Sequence, residues 1–167
     1  MSKKPTVNLD ELEYMDFGDG GRFEARLGRI SSLIGARKLG YNITRVPAGK
    51  RAFPCHLHHA IEEMCFILEG EGSLRLGDDE YPLRQGDFVA FPPGPHGGHQ
   101  ITNSGDAELV YLAVSTLDSP DVVEYPDSDK VLAVAGDLSG HERDLRLMVR
   151  KSSGVDYFDG ESDESKS

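Results

Sequence analysis

Between roughly residues 38 and 116 the chain is written in short β-rich stretches, at 39–46, 63–68, 72–76, 88–91, 99–102 and 108–115. Each is closed off by a cluster rich in Gly, Pro, Asn or Asp, such as Pro47-Ala48-Gly49, Glu69-Gly70-Glu71-Gly72, Pro92-Pro93-Gly94-Pro95 and Asn103-Ser104-Gly105-Asp106. Such residues pre-set or tolerate the backbone angles of tight turns, so the rhythm predicts antiparallel β hairpins rather than parallel β–helix–β units. In the last stretch Val110, Leu112 and Val114 alternate with Leu109, Tyr111, Ala113 and Ser115, the period of a strand with two different faces. Many short strands at this spacing predict an all-β sandwich or barrel. Helix is almost absent from the pattern, with room for one turn within residues 26–37, and residues 130–135 and 145–150 read as added strands.

The chain's 167 residues are enough for one hydrophobic core, and the expected organisation is a single barrel with extended ends. Residues 1–21 form a partly disordered N-terminal segment, residues 22–151 the barrel with its added strands around a core at 39–116, and residues 152–167 a C-terminal segment whose acidic tail is disordered from about 159. The formal net charge is −11, and 6 basic against 13 acidic side chains place −7 of it in residues 118–167. That balance repels phosphate backbones and anionic bilayers, so neither nucleic acid nor a membrane is an expected partner. Two cysteines, Cys55 and Cys65, are too few for a disulfide framework. With no long apolar run, a cytoplasmic location is expected.

The stretch that carries chemistry is His56-Leu57-His58-His59-Ala60-Ile61-Glu62-Glu63. Residues i and i+2 of a strand project to one side, so His56 and His58 aim two imidazoles at one point while His59 points away. The strand restarting at Glu63 returns a carboxylate to the same place. A fourth group has to come from elsewhere, with His96 and His99 both available after the Pro/Gly turn. Three imidazoles and a carboxylate suit a divalent transition metal (Mn, Fe, Co, Ni or Zn) and leave room for a small-molecule substrate. Cys65 shares the phase of Glu63, and Arg45, Arg75 and Tyr111 are polar candidates for a cavity wall where their strand faces point inward.

These residues resemble the motifs of the cupins. Gly49, His56, His58, Glu63 and Gly70 follow the first motif with one extra residue before the first histidine, and Gly86, Pro92, Gly94, His99 and Asn103 follow the second. Pro95-His96-Gly97-Gly98 stands where the second motif has two residues. Further stretches, including Val123-Glu124-Tyr125-Pro126-Asp127-Ser128, resemble a bacterial branch of small single-domain cupins loosely called sugar-phosphate isomerase-like. The resemblance implies a double-stranded β-helix, a jelly-roll barrel with N- and C-terminal strand extensions, and His56, His58, Glu63 and His99 as metal ligands, with Glu62 the rival carboxylate. The expected activity is metal-dependent isomerisation of a sugar or sugar phosphate, with Glu62 or His96 as the catalytic base. An Fe(II) oxygenase and a non-catalytic ligand-binding barrel are the alternatives. Because an exposed strand edge invites a second chain, a homodimer is expected.

Overall fold

The computed structural model describes residues 4–96, 98–138 and 144–161. Thirteen strands occur among them: β1 (Met15–Gly18), β2 (Glu24–Arg29), β3 (Leu39–Val46), β4 (Leu57–His58), β5 (Glu63–Glu69), β6 (Glu71–Leu76), β7 (Asp79–Arg84), β8 (Phe88–Phe91), β9 (His99–Thr102), β10 (Leu109–Thr116), β11 (Asp121–Tyr125), β12 (Lys130–Ala135) and β13 (Leu145–Arg150). The single helical turn α1 (Ser31–Ile34) ends at Gly35, whose φ of 78° is the left-handed conformation that stops a helix at little cost.

All strand pairs within the sheets are antiparallel. One sheet has the order β1-β2-β3-β10-β5-β8, and facing it are sheets in the order β7-β6-β9 and β13-β12-β11-β4. The latter two are stitched into one layer by an isolated bridge in which His56 N donates to His99 O at 3.1 Å and His99 N donates to His56 O at 2.9 Å. The result is the two-layered jelly roll expected from the strand rhythm, a double-stranded β-helix.

Strand alternation decides what lies between the layers. Ala25, Leu27, Val46, Cys65, Ile67, Leu74, Phe91, Ile101, Leu109 and Tyr111 meet inside, with Ile67 and Leu109 fully buried. The opposite face of the six-stranded sheet is covered by the N-terminal segment, where Leu12 packs with Ile43 and Val110, flanked by Val7 and Tyr14. Val110 and Leu112 therefore lie outside the barrel and Leu109, Tyr111 and Ala113 inside it, as their alternation predicts. Asn8 caps a short turn over Leu9–Glu11: its side chain accepts from Asp10 N, and Glu11 accepts in return from Asn8 N. Within the expected acidic tail, residues 159–161 form an exposed turn, while residues 162–167 and His141 lie outside the described residues.

Candidate metal centre

The cluster at the barrel's mouth is assembled from three strand segments. Pro54 interrupts pairing before β4, and the His56–His99 bridge then fixes two of the imidazoles on adjacent backbones. His58 lies on β4, where it pairs with Val123 of β11. Glu63 opens β5 between Ser115 of β10 and Phe91 of β8. From these positions the Nε2 atoms of His56, His58 and His99 lie 3.6, 3.5 and 3.3 Å from one oxygen, Oε2 of Glu63. The candidate ligand atoms of His56, His58 and Glu63 all fall within 4.8 Å of one another.

Hydrogen bonds behind the rings decide which nitrogen faces the cluster. Nδ1 of His56 donates to the Pro54 carbonyl at 2.9 Å, and Nδ1 of His58 donates to Oδ2 of Asp121 at 2.6 Å. A carbonyl or carboxylate oxygen only accepts, so in the neutral rings the proton sits on Nδ1 and the Nε2 lone pair points inward. The His99 ring is held by stacking on Phe91, with centroids 3.7 Å apart and planes 7° from parallel. Lone pairs turned into one small volume repel unless a proton or a cation lies among them, and the donor set is that of a divalent transition-metal site.

The electrostatics follow from the same contacts. Burial alone would raise the pKa of Glu63, but the imidazoles of His56, His99 and His58, when each carries a second proton on Nε2, hold its carboxyl well below the ordinary carboxylate range. Burial opposes a charge on His58 too, yet the Asp121 hydrogen bond and the Glu63 carboxylate outweigh it and raise its pKa above the ordinary 6.5. Asp121 stays ionised although burial disfavours it, because His58 and the backbone N–H of Ala60 both donate to it.

Asp121 is the residue of the candidate site that sequence reasoning passed over. It lies 63 residues from His58, and its side chain is 0% exposed. Its signal, an acidic residue opening the β-branched run Asp121-Val122-Val123, was readable only if that run was taken as a strand.

Inward from the histidines is a cavity of about 110 Å³ whose walls include Asn42, Phe53, Cys65, Gln100, Ile101 and Tyr111. Tyr111 hydrogen-bonds Thr44, whose Oγ1 donates to Oδ1 of Asn42 at 2.7 Å, and Gln100 is anchored through Nε2 to the Phe53 carbonyl at 2.8 Å. Cys65 joins this wall, its thiol pushed up by burial and by the Glu63 charge.

The structure separates the rival candidates. Glu63 and Glu62 have opposite strand phase; Glu63 faces the histidines, whereas Glu62 is exposed and its backbone N–H donates to Thr116 Oγ1. His99 joins the cluster, and His96 is exposed in the turn that follows Phe91. Neither Glu62 nor His96 lines the cavity. His59 points outward, as its phase predicts, and donates from Nε2 to Glu124 at 2.7 Å. No helix among the described residues is long and apolar enough to cross a membrane.

Barrel and cluster together define a class. Residues 42–115 match the family model described as a cupin domain. The structure is similar to that of a candidate sugar phosphate isomerase of Acidithiobacillus ferrooxidans, with a TM-score of 0.76 and 27% identity over 91% of this chain and 96% of that one. It is also similar to a structure from Silicibacter pomeroyi described as a sugar phosphate isomerase from a cupin superfamily, with a TM-score of 0.75 and 27% identity over 93% and 98% of the two chains. An uncharacterized protein of Methanocaldococcus jannaschii is 34% identical over 70 residues, and the chain spans 54% of that curated relative's length. Residues 42–115 form a cupin domain, and the chain's likeness to the two isomerase-named structures runs through the strands flanking that domain as well as the domain itself.

Proposed function

We propose that this chain binds one divalent transition metal through His56, His58, Glu63 and His99 and is a metal-dependent enzyme acting on a small oxygen-rich substrate, with sugar-type isomerisation the reaction it fits best. The observation that carries the reading is the convergence of three imidazole Nε2 atoms on Glu63 Oε2, two of them with their tautomer set by Nδ1 donation. The names of the two similar structures support the reaction class.

A metal so held would supply Lewis acidity for a substrate carbonyl and its neighbouring hydroxyl. The protein's own contribution is then orientation. Asn42 and Gln100, each fixed by a hydrogen bond at one end, offer polar contacts to substrate oxygens. Tyr111 and Cys65, both kept protonated by burial, line the wall as neutral hydroxyl and thiol groups. Among the described residues, the only carboxylate lining the cavity is Glu63, a candidate ligand, so the wall offers no free carboxylate base. Among the described residues it also carries no Lys or Arg, which favours a neutral substrate portion inside, with any phosphate kept at the mouth.

The test is metal analysis of purified protein followed by incubation with a panel of sugars and sugar phosphates, monitored by NMR. The expected result is isomer interconversion that a chelator abolishes and one metal restores. A protein that holds less than a tenth of an equivalent of any transition metal after loading would overturn the metal assignment. Oxygen consumption without isomerisation would move it to the oxygenases, and metal retention with neither activity to ligand capture.

A further inference from the structure

The net charge of −11 is not shared by every surface of the chain. In the sheet beside the cluster, the register pairs Asp121 with Val134 and Val134 with Arg146, Val123 with Leu132 and Leu132 with Met148, and Tyr125 with Lys130 and Lys130 with Arg150. Residues directly opposite each other on neighbouring strands project to one side, so all of these share a face. Val123, Leu132 and Val134 are buried, which makes it the face toward the barrel, and His58, paired with Val123, lies on it too. It carries three cations, Lys130, Arg146 and Arg150, against one carboxylate, Asp121, which His58 and the Ala60 N–H already occupy. Glu124, the other acid of β11, is on the opposite face, paired with His59 and Lys151.

Two of the three cations are uncommitted. Arg150 Nη1 donates to Ser128 O at 3.0 Å, and in the turn after β11 Asp127 is taken up by Arg75 through two bonds of 2.9 Å. Lys130 and Arg146 form no ion pair or hydrogen bond among the described residues. Tyr125 ties both of them to the cluster. Its ring lies beside that of His56, with centroids 6.1 Å apart and planes 27° from parallel, and the Lys130 ammonium lies 5.1 Å from the ring's centre, over its face. Its hydroxyl is within electrostatic reach of Arg146, and of Asp121 and Glu63 as well.

Two unneutralised cations and a phenolic O–H within reach of one another suit a small dianion. A phosphate monoester carries a charge of about −1.5 to −2 at neutral pH and three acceptor oxygens. Arginine meets such a group with a planar fork of donors and lysine meets it as a point charge. A carboxylate, with one charge and two oxygens, leaves one of the cations unmatched. His56 lines the cavity and also flanks Tyr125, so a molecule whose oxygens reach the cluster has this basic face next to it.

We propose that Arg146 and Lys130, with the Tyr125 hydroxyl between them and the cluster, bind the phosphate of a phosphorylated substrate whose carbon skeleton enters the cavity. This rests on the reading of the cluster as the centre of a sugar-type enzyme, and it narrows the substrate class to phosphate monoesters. The division of labour follows from charge: the neutral skeleton meets the uncharged wall of Asn42 and Gln100, and the dianion stays on the basic face.

The experiment is calorimetric titration of the full-length protein with glycerol 3-phosphate, glycerate and glycerol, with metal content and melting curves measured on every sample. Wild type is expected to bind glycerol 3-phosphate, glycerate at least tenfold more weakly and glycerol not at all. Arg146→Gln and Lys130→Gln should each weaken the phosphate ester roughly tenfold, the worth of one charge-assisted contact, with metal content and melting unchanged. Arg146→Lys should recover part of the loss, and Arg84→Gln, on the edge strand β7, should change nothing. A wild type that binds no phosphate ester, glycerate bound as tightly as glycerol 3-phosphate, or an affinity that neither substitution moves would each overturn the proposal. Chelator-stripped protein separates this from the metal reading. If it still binds glycerol 3-phosphate and loses that binding in Arg146→Gln, the subsite stands whatever the metal does. If metal-loaded protein turns over unphosphorylated sugars yet binds no phosphate ester, the subsite falls and the metal reading survives.

Discussion

Replacing Asp121 by Asn removes one charge and almost no volume, which makes it the sharpest probe of the candidate centre. Both carboxylate oxygens accept, Oδ2 from His58 Nδ1 at 2.6 Å and Oδ1 from Ala60 N at 2.9 Å. An amide has one acceptor, so either orientation loses one of these bonds. If the amide oxygen stays on Ala60, its N–H₂ faces His58 and demands a lone pair on Nδ1, which moves the proton to Nε2 and turns a donor toward the cluster. If it turns around, His58 keeps its tautomer and the amide N–H₂ confronts the Ala60 N–H. Carboxylates behind a metal-binding imidazole are worth roughly 10–100-fold in affinity. That is about 1.4–2.7 kcal/mol, since tenfold corresponds to about 1.4 kcal/mol. Competition against a calibrated chelator at pH 7.5 measures it directly, with melting curves confirming the fold. An Asp121→Asn protein that holds metal within threefold of wild type would refute the reasoning, because it would show that the ring needs no help to present Nε2.

Four further outcomes are expected. His99→Ala should lower metal content well below one equivalent while His96→Ala leaves it unchanged; equal losses would place the fourth ligand on the turn instead. Because the pKa of His58 is raised above 6.5 while that of Glu63 is depressed, metal must displace a proton from the imidazole but not from the carboxylate, so affinity should fall about tenfold per pH unit below 6.5 in chelator titrations. By the same sign, charged His58 stabilises the metal-free fold below about pH 6.5 and that contribution is lost as pH rises through its folded value. Asn103→Ala should cost about 2–3 kcal/mol in urea unfolding, since its fully buried amide donates to Val46 O and Ala107 O and accepts from Gly105 N; a loss under 0.5 kcal/mol would contradict it. Gly70→Ala should cost about 2 kcal/mol or more, because φ is +83° and an added Cβ would lie 2.6 Å from Glu108 O, whereas Gly77→Ala, with φ +60° and open space, should lose only the backbone part; equal losses would remove the steric argument.

Much of the barrel was legible because turn chemistry and alternation are local. The stretches 39–46, 88–91, 99–102, 130–135 and 145–150 coincide with β3, β8, β9, β12 and β13. β7 was hidden by Pro82, which its position on the edge of the β7-β6-β9 sheet tolerates. β2 was hidden by its charges: Glu24, Arg26 and Arg29 sit outside while Ala25 and Leu27 are buried, and the arginines read as solvated surface instead of one face of a strand. At the site, opposite strand phase left only one of Glu62 and Glu63 able to face the histidines, and the resemblance to the cupin motifs favoured Glu63 and His99. The positions of Glu62 and His96 relative to the cavity depend on how the turns close in space, and the partnership of Asp121 with His58 depends on β4 pairing with β11, which no local pattern records.

Two of the four converging groups, His56 and His99, sit on backbones tied by reciprocal main-chain bonds. Peptide groups hold that separation, so it does not care what side chains fill the chamber beneath. Ile101 and Ala113 can therefore be exchanged to reshape the chamber for a different guest while the backbone spacing beneath this imidazole pair is kept, which makes the scaffold a natural starting point for redesigned selectivity.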